Sequence, residues 1–474
     1  MKKIIVKGLA YDDVLVQPGF AKVLPADVST QTKFSRNITM HAPISSSPMD
    51  TVTRSELAIR MAELGGIGVM DRNMPIKQQC DAVRTVKRSM SAVIANPYTL
   101  MPDHKVYHAR AMMAEKKISG IPVINANGCL LGIVTRRDLK FENGDNTALS
   151  EIMTPKDRLI TAPVGTMPDE AKRILNRTHK EKLLLVDDTF TLRGMITLKD
   201  VEKKNTLYNA TLDASGQLRV AAAIGVTRDF FERSQELVAA GVDAIVLDTS
   251  HGHSLNVLNA LGILKTVSGM VDMIVGNNAT AKAARMLYEA GADALRVGIG
   301  PASICTTRII SGCGVPQITA IKDVAEEIEG AIPIIADGGI RYPGDITKAI
   351  AVGASSVMIG SLFAGTDESP GKKIAYQGQT YKAYRGMGSD TVLKSGGDRY
   401  GSKAVAEGIE ARVPYRGPLA DVFAKLVGGL RQGMGYAGCA TIQELQENTI
   451  LVQITDAGRL ESHPHGVLVT NEVF

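Results

Sequence analysis

A glycine-rich segment around one cysteine offers the clearest chemistry in this 474-residue chain. Residues 298–317 read Gly-Ile-Gly-Pro-Ala-Ser-Ile-Cys-Thr-Thr-Arg-Ile-Ile-Ser-Gly-Cys-Gly-Val-Pro-Gln and directly follow an apolar run. Glycines let the backbone turn tightly and leave its N–H groups free to hold an anion. A thiol between such a turn and an arginine has surroundings that favour a thiolate. These surroundings suit a nucleophilic Cys305, but a lone cysteine in a loop is more often structural, so both interpretations stay open at this point.

Two later segments carry groups that suit a nucleotide. Residues 335–341, Ile-Ala-Asp-Gly-Gly-Ile-Arg, place Asp337 and two glycines at the end of an apolar stretch, and Gly360-Ser361 ends the next one. Backbone N–H groups in glycine turns can hold a phosphate, and a neighbouring aspartate can accept hydrogen bonds from ribose hydroxyls. Glycines that only permit tight turns are the simpler alternative. The combination of an acid with two such turns favours a nucleotide site.

An acid followed by two histidines forms a third candidate. Residues 247–253, Leu-Asp-Thr-Ser-His-Gly-His, present Asp248, His251 and His253 at the end of another apolar run. Zinc requires three or four ligands, and the sequence offers no further convincing ligand near the histidines. We therefore do not expect a transition-metal site here.

Short apolar strands that alternate with helices must position these groups. Eight runs have the character of buried strands: Pro43–Ser46, Ile67–Met70, Val220–Ile224, Ala244–Leu247, Met273–Val275, Ala294–Val297, Pro333–Ala336 and Ser356–Ile359. Helix-like runs lie between them, among them Ser55–Leu64, Phe230–Ala240, Ala281–Ala290, Ile321–Ile328 and Asp345–Val352. Eight βα units are the count of a TIM barrel, whose active-site loops follow the carboxyl ends of the strands. An open doubly wound sheet would carry a glycine fingerprint after an early strand, and none is found, so the predicted class is an α/β fold with a (β/α)8 barrel.

A segment with an internal repeat interrupts the barrel pattern. Two of the strand-like runs precede residue 90 and six follow residue 215. Between them, residues 132–139, Gly-Ile-Val-Thr-Arg-Arg-Asp-Leu, recur as residues 194–201, Gly-Met-Ile-Thr-Leu-Lys-Asp-Val, at an offset of 62 residues. The apolar runs Ile121–Ile124 and Leu183–Val186 precede the two copies at the same offset. Two copies of a small unit predict a pseudo-symmetric pair that buries its apolar faces together.

The repeat resembles a tandem CBS, or Bateman, module. In such modules the threonine and aspartate of each copy often face a nucleotide ribose, which implicates Thr135, Asp138, Thr197 and Asp200. A purely structural pair is an equal alternative. The predicted division is a first barrel segment over 1–90, a tandem CBS domain over 91–205 with repeats of about 91–147 and 148–205, and a second barrel segment over 206–474.

Composition and charge exclude several classes of function. Hydrophobic residues make up 45% of the chain and charged residues 22%, which favours a well-buried core over disorder. The net charge of +5 is small and no long basic run is present, so nucleic-acid binding is not expected. Five scattered cysteines without a C-x-x-C pair predict neither disulfides nor zinc. No apolar window is long enough to cross a bilayer, so a cytoplasmic protein without membrane contact is expected.

The cysteine segment closely resembles the catalytic loop of the IMP dehydrogenase and GMP reductase family, and the similarity extends over the whole chain. In that family the cysteine attacks C2 of a purine nucleotide. The resemblance implies NAD-dependent oxidation of IMP to XMP in guanine nucleotide biosynthesis, through a covalent thioimidate on Cys305 that water then hydrolyses. IMP and NAD are the small molecules that the resemblance implies as partners.

The same resemblance implies roles for individual residues. Cys305 matches the nucleophile, Thr307 helps to activate water, and Arg399 and Tyr400 match a catalytic pair on a mobile flap of about 389–415. The positions that match nucleotide-binding residues are Ser47, Met49, Ser303, Asp337, Gly339, Gly360, Ser361, Tyr384, Gly386, Met387, Gly388 and Glu407. The positions that match NAD-binding residues are Asp248, Ser250, Asn277, Gly298 and Gly300.

A K⁺ site assembled across two subunits is implied as well. Its ligands would be backbone carbonyls of Gly300, Ala302 and Cys305, completed by the segment that matches Glu461, Ser462 and His463 in a neighbouring subunit. Oxygen ligands with few carboxylates suit K⁺ better than a transition metal. A shared site implies a homotetramer, with an octamer through the CBS domains as the alternative. A purine nucleotide is the effector implied for the CBS pair.

Two other functions compete with IMP oxidation. GMP reductase, which converts GMP and NADPH to IMP and ammonia, shares the barrel and the cysteine. The Arg399–Tyr400 pair serves hydrolysis, and the Asp-Thr-Ser-His-Gly loop differs from the Asp-Val-Ala-Asn-Gly typical of reductases, so both features favour the dehydrogenase. A catalytically inactive nucleotide sensor is the other alternative. The retained cysteine, flap pair and phosphate loops argue against it.

Several positions depart from the family pattern. Ala302 replaces a common glycine, where a positive φ would be strained, and Gly401 replaces a bulky aromatic residue on the flap. Asp71-Arg72 stands where His-Lys is more usual. Cys313 lies eight residues after Cys305, and we expect oxidation to join the two cysteines in a disulfide.

Overall fold

The chain divides into two compact units. In a computed structural model, the described residues are 5–89, 93–94, 97–116, 118–142, 144–198, 201, 207–226, 229–267, 271–394 and 405–470. The barrel unit contains Met1–Ser89 and Asn209–Phe474, and the inserted unit contains Met90–Tyr208. Among the helices in the described ranges, none is long and apolar enough to cross a membrane.

Eight parallel strands close the barrel unit into a ring. They are β1 (Ile44–Ser46), β2 (Ile67–Met70), β3 (Val220–Ile224), β4 (Ala244–Asp248), β5 (Asp272–Asn278), β6 (Ala294–Val297), β7 (Ile334–Asp337) and β8 (Ser356–Ile359). Each strand pairs with the next in sequence, and β8 pairs with β1 to close the ring. Strands β2 and β3 are also neighbours, in the register Val220 to Gly68, so the barrel closes across the insertion. The predicted (β/α)8 barrel is therefore confirmed.

Helices alternate with the strands and cover the outside of the ring. They are α1 (Ser55–Glu63), α2 (Ile76–Arg88), α3 (Phe230–Ala239), α4 (Leu255–Val267), α5 (Ala281–Glu289), α6 (Gln317–Ile328) and α7 (Pro343–Ala351). Helix α6 begins four residues before the predicted start because Pro316 caps it and the buried amide of Gln317 donates to the carbonyl of Val297 at 2.8 Å.

Alternate residues of the strands fill the barrel interior. Ile67 and Val69 of β2, with Ala221 and Ala223 of β3, belong to one fully buried cluster, as expected from the two-residue period of strands. Phe34, Ile38 and Met40, from a short hairpin of Thr32–Lys33 and Thr39–Met40, join the same cluster. The hairpin therefore contributes side chains to the interior core.

Further elements of the barrel unit surround the loops that follow the strands. One antiparallel pair joins Val14–Val16 to Leu451–Gln453, and one three-stranded sheet contains Lys373–Tyr376, Gln379–Arg385 and Glu410–Pro414. The additional helices are Thr307–Ser311, Ser361–Ala364, Asp390–Lys394, Leu419–Ala437, Ile442–Glu447 and Asp456–Glu461. The segment predicted as a flap, about 389–415, has regular structure at both ends. Asp390–Lys394 is a helix, and Glu410–Pro414 pairs with Gln379–Arg385.

The inserted unit repeats one arrangement of strands at the offset seen in the sequence. Gly120–Ile124 pairs antiparallel with Leu130–Thr135, and Lys182–Val186 pairs in the same way with Leu192–Thr197. Both pairs shift register at equivalent places, between Val123 and Ile124 and between Leu185 and Val186. The corresponding helices are Val106–Glu115 and Pro168–Thr178. The remaining elements are Val93–Ile94, Arg136–Lys140, Leu149–Ile152, Thr154–Pro155 and Thr161–Pro163.

Candidate active site

A cleft of about 330 Å³ opens at the carboxyl ends of the barrel strands. Loops after β1, β4, β6, β7 and β8 line it, together with Asn277 of β5 and the segment that follows Gln379–Arg385. Most residues predicted for the site share this cleft: Ser47, Met49, Ser250, Asn277, Gly298, Gly300, Ala302, Ser303, Cys305, Thr307, Asp337, Gly339, Gly360, Ser361, Tyr384, Gly386, Met387, Gly388 and Glu407. Residues far apart in sequence therefore meet because the barrel brings successive strand ends together.

The loop that carries Cys305 turns sharply after β6. Gly298 has a φ of 145°, and a side chain there would place its Cβ 2.3 Å from the carbonyl oxygen of Asp337, so only glycine fits. Arg308 donates to the carbonyls of Ile299 at 3.1 Å and Val315 at 2.6 Å. This arginine therefore fixes the shape of the loop, a use that the sequence did not reveal.

A chain of hydrogen bonds leads from Cys305 to a carboxylate. The Cys305 thiol donates to the Thr307 hydroxyl at 3.2 Å, and that hydroxyl donates to Glu407 Oε2 at 3.0 Å. Glu407 is held in place because its carbonyl accepts from the N–H of Thr306 at 3.1 Å. The arrangement can carry a proton from the thiol to the carboxylate.

One half of the cleft combines glycine turns with hydroxyl groups. Gly339 has a φ of 85°, and Gly360 and Ser361 begin the short helix after β8. Tyr384 is buried above them, with its hydroxyl 3.7 Å from Met49 Sδ. Burial, followed by the charge of Asp337, raises the pKa of Tyr384, which keeps its hydroxyl protonated as a donor. These groups suit a phosphate.

The opposite half is built around a buried arginine that the sequence analysis did not select. Arg296 Nε donates to Asp337 at 2.9 Å, and its Nη1 donates to Asp248 at 2.6 Å. Asn277 also donates to Asp337, at 2.8 Å. A charged residue inside the buried strand Ala-Leu-Arg-Val was the signal available in the sequence, because a buried arginine requires acidic partners.

Asn277 retains an unused acceptor in the cleft. Its Nδ2 donates to the carbonyl of Gly298 at 2.6 Å, while its buried Oδ1 has no hydrogen-bond partner among the described residues. A free buried acceptor beside Ser250 suits a ligand that carries an amide or hydroxyl donor. Tyr11, from the amino-terminal segment, also lines the cleft and was missed by the sequence analysis.

The two histidines after β4 do not form a metal site with other described residues. His253 Nε2 lies 3.2 Å from Met286 Sδ, and the two imidazole rings are 6.1 Å apart. Burial, then the neighbouring His253, lowers the pKa of His251. Among the described residues, no group of three His, Cys, Asp or Glu side chains is placed to hold a metal.

The remaining predicted residues fall in three places. Asp248 lies behind Arg296 and does not line the cleft. Glu461, Ser462 and His463 are exposed near the carboxyl end of the chain, where the His463 ring packs against Tyr342. Arg399, Tyr400 and Gly401 lie outside the described residues, as does Asp200 of the inserted unit.

The departures from the family pattern leave the cleft intact. Ala302 is not among the residues with positive φ, so the strain anticipated there is not present. Asp71 is fully buried and lies 3.3 Å from Arg54 Nε. Cys305 is half-buried and Cys313 is exposed, both as free thiols.

The closed parallel barrel and its cleft define a (β/α)8-barrel enzyme with its site at the carboxyl ends of the strands. Within that class, the chain belongs to the IMP dehydrogenase / GMP reductase family, whose domain matches residues 8–465.

Relatives of both activities align over nearly the whole chain. An inosine-5'-monophosphate dehydrogenase of Halalkalibacterium halodurans is 50% identical over 98% of this chain and 97% of its own. The enzyme of the same name from Aquifex aeolicus is 51% identical over 100% of this chain and 98% of its own. A structure of a cysteine-to-alanine variant of GMP reductase from Trypanosoma brucei, in complex with guanosine 5'-monophosphate, matches with a TM-score of 0.94 and 39% identity. It covers 98% of this chain and 99% of the reductase.

Proposed function

We propose that this protein oxidises IMP to XMP, with the stoichiometry IMP + NAD⁺ + H₂O → XMP + NADH + H⁺. The observation that carries the proposal is the chain from the Cys305 thiol through Thr307 to Glu407, set in a cleft whose groups suit a phosphate and a ribose. The similarity of about 50% to curated inosine-5'-monophosphate dehydrogenases supports the same activity.

The proposed reaction begins at Cys305. A proton leaves the thiol along the chain to Glu407, and the sulfur forms a bond to C2 of IMP. C2 of the adduct then loses a hydride, which bound NAD would take up, and a thioimidate between Cys305 and the purine remains. Water adds to C2, its proton passes to the protein, and the C2–sulfur bond breaks to release XMP and the thiol. Thr307, Arg399 and Tyr400 are the residues proposed to orient and deprotonate that water.

The nucleotide is proposed to lie across the β6, β7 and β8 ends. Asp337 would accept hydrogen bonds from the ribose hydroxyls, and Glu407 would contact N1 of the base. The 5'-phosphate would be held by Ser303, Gly339, Gly360, Ser361 and Tyr384. The purine would lie against Ser47, Met49, Gly386, Met387 and Gly388.

NAD is proposed to bind on the β4 and β5 side of the cleft. The unused Oδ1 of Asn277 and the hydroxyl of Ser250 provide polar contacts there, so the residues present fit the nicotinamide end of the dinucleotide. Gly298 and Gly300 also line the cleft and belong to the set proposed for NAD. Asp248, which does not line it, belongs to this set through its contact with Arg296.

A K⁺ ion is proposed to support the cysteine loop in a homotetramer. The carbonyl oxygens of residues 300, 302 and 305 are neutral hard donors on a tight turn, which suits K⁺. The exposed residues Glu461, Ser462 and His463 are available to a neighbouring subunit. Replacement of K⁺ by Li⁺ at equal ionic strength should lower turnover, and sedimentation should give four times the chain mass of 50.6 kDa.

The inserted unit is proposed to be a tandem CBS module that binds a purine nucleotide. Its two halves repeat strands and register shifts at equivalent positions, and Thr135 donates to Asp138 at 2.8 Å in the first copy. Calorimetry of the full chain with ATP and with GTP tests the proposal. Binding that Thr135→Ala weakens, with IMP turnover retained in the absence of nucleotide, is the expected result.

GMP reduction is the second candidate, because the solved reductase covers 98% of this chain at 39% identity. Absorbance at 340 nm separates the two activities. IMP with NAD⁺ should give a rise that Cys305→Ala abolishes and Cys313→Ala, on the same loop, retains. A fall with GMP and NADPH, and no rise with IMP and NAD⁺, would reassign the protein as a reductase.

A further inference from the structure

One buried arginine joins two aspartates from opposite parts of the barrel. Arg296 lies in β6 and is 4% exposed, while Asp248 ends β4 and is 1% exposed. The guanidinium contacts Asp248 at 2.6 Å with Nη1 and Asp337 at 2.9 Å with Nε. Because a guanidinium is planar and rigid, these two contacts fix where both carboxylates lie.

The surrounding backbone is shaped to accommodate this arginine. Gly276 is the β5 residue paired with Arg296, and a Cβ on Gly276 would lie 2.6 Å from the Cβ of Arg296. Burial opposes the positive charge, but Asp337 and Asp248 outweigh it and raise the pKa of Arg296, so the side chain stays charged. The positive charge of Arg296 is balanced by Asp337, which lines the cleft, and by Asp248, which does not.

The two carboxylates differ in their access to the cleft. Asp337 lines the cleft, where Asn277 also donates to it at 2.8 Å, whereas Asp248 does not. Arg296 contacts both carboxylates, so it can transmit an effect of the Asp248 charge to a ligand bound at Asp337. Groups that share one network of charges influence one another by more than distant residues do.

We infer that Arg296 is a positioning residue that links Asp248 to Asp337, so that the charge of Asp248 sets the affinity of the cleft for IMP. The inference rests on the proposed function, in which Asp337 holds the ribose. With the Asp248 charge removed, the guanidinium interacts more strongly with Asp337 and competes for the oxygen lone pairs that the ribose hydroxyls require. IMP binding is then weaker although no residue that contacts IMP has changed.

Calorimetric titration with IMP, in the absence of NAD, tests the link. All variants carry Cys305→Ala, so that no turnover occurs. Asp248→Asn, which preserves shape and removes charge, should raise the dissociation constant for IMP by at least about twofold. Arg296→Lys should raise it as well, because one ammonium group cannot hold two carboxylates in the same geometry. Asp248→Asn also tests the link if Arg296→Lys fails to fold.

Arg233→Lys is the matched control, because Arg233 is also buried and pairs with Asp229 at 2.6 Å outside the cleft. It should leave the dissociation constant for IMP unchanged. An Asp248→Asn variant that binds IMP as tightly as its parent overturns the inference. If the Cys305→Ala parent binds no IMP and the unmodified protein forms no NADH from IMP, the proposed function fails and the inference fails with it.

Discussion

At the scale of single residues, Thr307 is the link between the Cys305 thiol and the Glu407 carboxylate, at 3.2 Å and 3.0 Å. Thr307→Val keeps the shape of the side chain and removes the hydroxyl. Because the proton path is then broken, we expect turnover of IMP to fall by roughly 10²-fold, the lower range for general acid–base catalysis. Initial rates of NADH formation measure the effect. Ser311→Ala, which removes an exposed hydroxyl from the same helix, should retain the rate, and equal rates for both variants would contradict the proton path.

Asp71 makes the stability of the barrel unit depend on pH. Burial raises the pKa of Asp71 from 3.8 to about 6. The charge of Arg54 lowers this pKa, and the charge of Asp50 raises it further. The folded protein therefore binds this proton more tightly than the unfolded chain. The resulting stability is fully present below pH 4 and is lost as the pH rises through about 6.

The matching prediction compares Asp71→Asn with the unmodified protein. Between pH 7.5 and pH 4, the unmodified protein should gain stability relative to the variant by on the order of 3 kcal/mol. Chemical denaturation at several pH values measures the difference. Asp81→Asn is the control, because Asp81 is exposed and pairs with Arg84. The free energy of unfolding of this variant should change with pH in the same way as that of the unmodified protein. A constant difference between unmodified protein and Asp71→Asn across this range would show that Asp71 titrates normally.

At the scale of elements, the strand Gln379–Arg385 carries Tyr384 into the cleft and is anchored by a buried lysine. Lys382 is 2% exposed and donates to the carbonyls of Thr366 and Ser369, each at 2.6 Å. Lys382→Met removes a charged donor from both carbonyls, although the carbonyl of Thr366 still accepts from Ser369 Oγ at 3.0 Å, so we expect the free energy of unfolding to fall by about 2 kcal/mol. The KM for IMP should rise because Tyr384, two residues away on the same face, loses its position.

Lys373→Met provides the control for this prediction. Lys373 lies on the neighbouring strand Lys373–Tyr376, is 53% exposed, and pairs with Asp367 at 2.8 Å. Water screens an exposed ion pair, so this variant should change stability and kinetics little. Denaturant unfolding and steady-state kinetics measure both variants. If both substitutions lowered the free energy of unfolding equally, the burial of Lys382 would not explain the effect.

The sequence predicts the barrel strands well and the charged network poorly, for physical reasons. Strands buried on both faces are short continuous apolar runs, so β2, β3, β6 and β8 have the predicted bounds. The strand Glu410–Pro414 was missed because it lies at the edge of a sheet, with mostly exposed side chains and no apolar alternation. Asp337 could be selected from its glycine-flanked turn. Arg296 stands out as a charged residue within an apolar run, but its partners Asp248 and Asp337 could not be identified, because they lie 48 and 41 residues away in sequence.

At the scale of the whole molecule, all eight strands of the closed ring come from the barrel unit, so the ring closes across the insertion. Strands β2 and β3, which flank the inserted unit in sequence, pair directly at Val220 and Gly68. Lys87 lies near the end of α2, and its Nζ is 2.8 Å from the carboxylates of both Asp213 and Asp243. This ion-pair network holds together the two segments of the barrel unit that border the insertion, at residues 89 and 209. The closed barrel and the cleft are built from the barrel unit alone.

Removal of residues 90–208 should therefore leave a folded enzyme. We expect a chain with Ser89 joined to Asn209 by six glycine and serine residues, enough to span roughly 20 Å, to unfold cooperatively. Its rate of NADH formation from IMP should stay within the order of magnitude of the full chain, because every described cleft residue is retained. Thermal unfolding and absorbance at 340 nm measure the two properties. The same linker inserted after Ser89 in the otherwise intact chain controls for the linker, and loss of activity in the shortened chain alone would show that the barrel depends on the inserted unit.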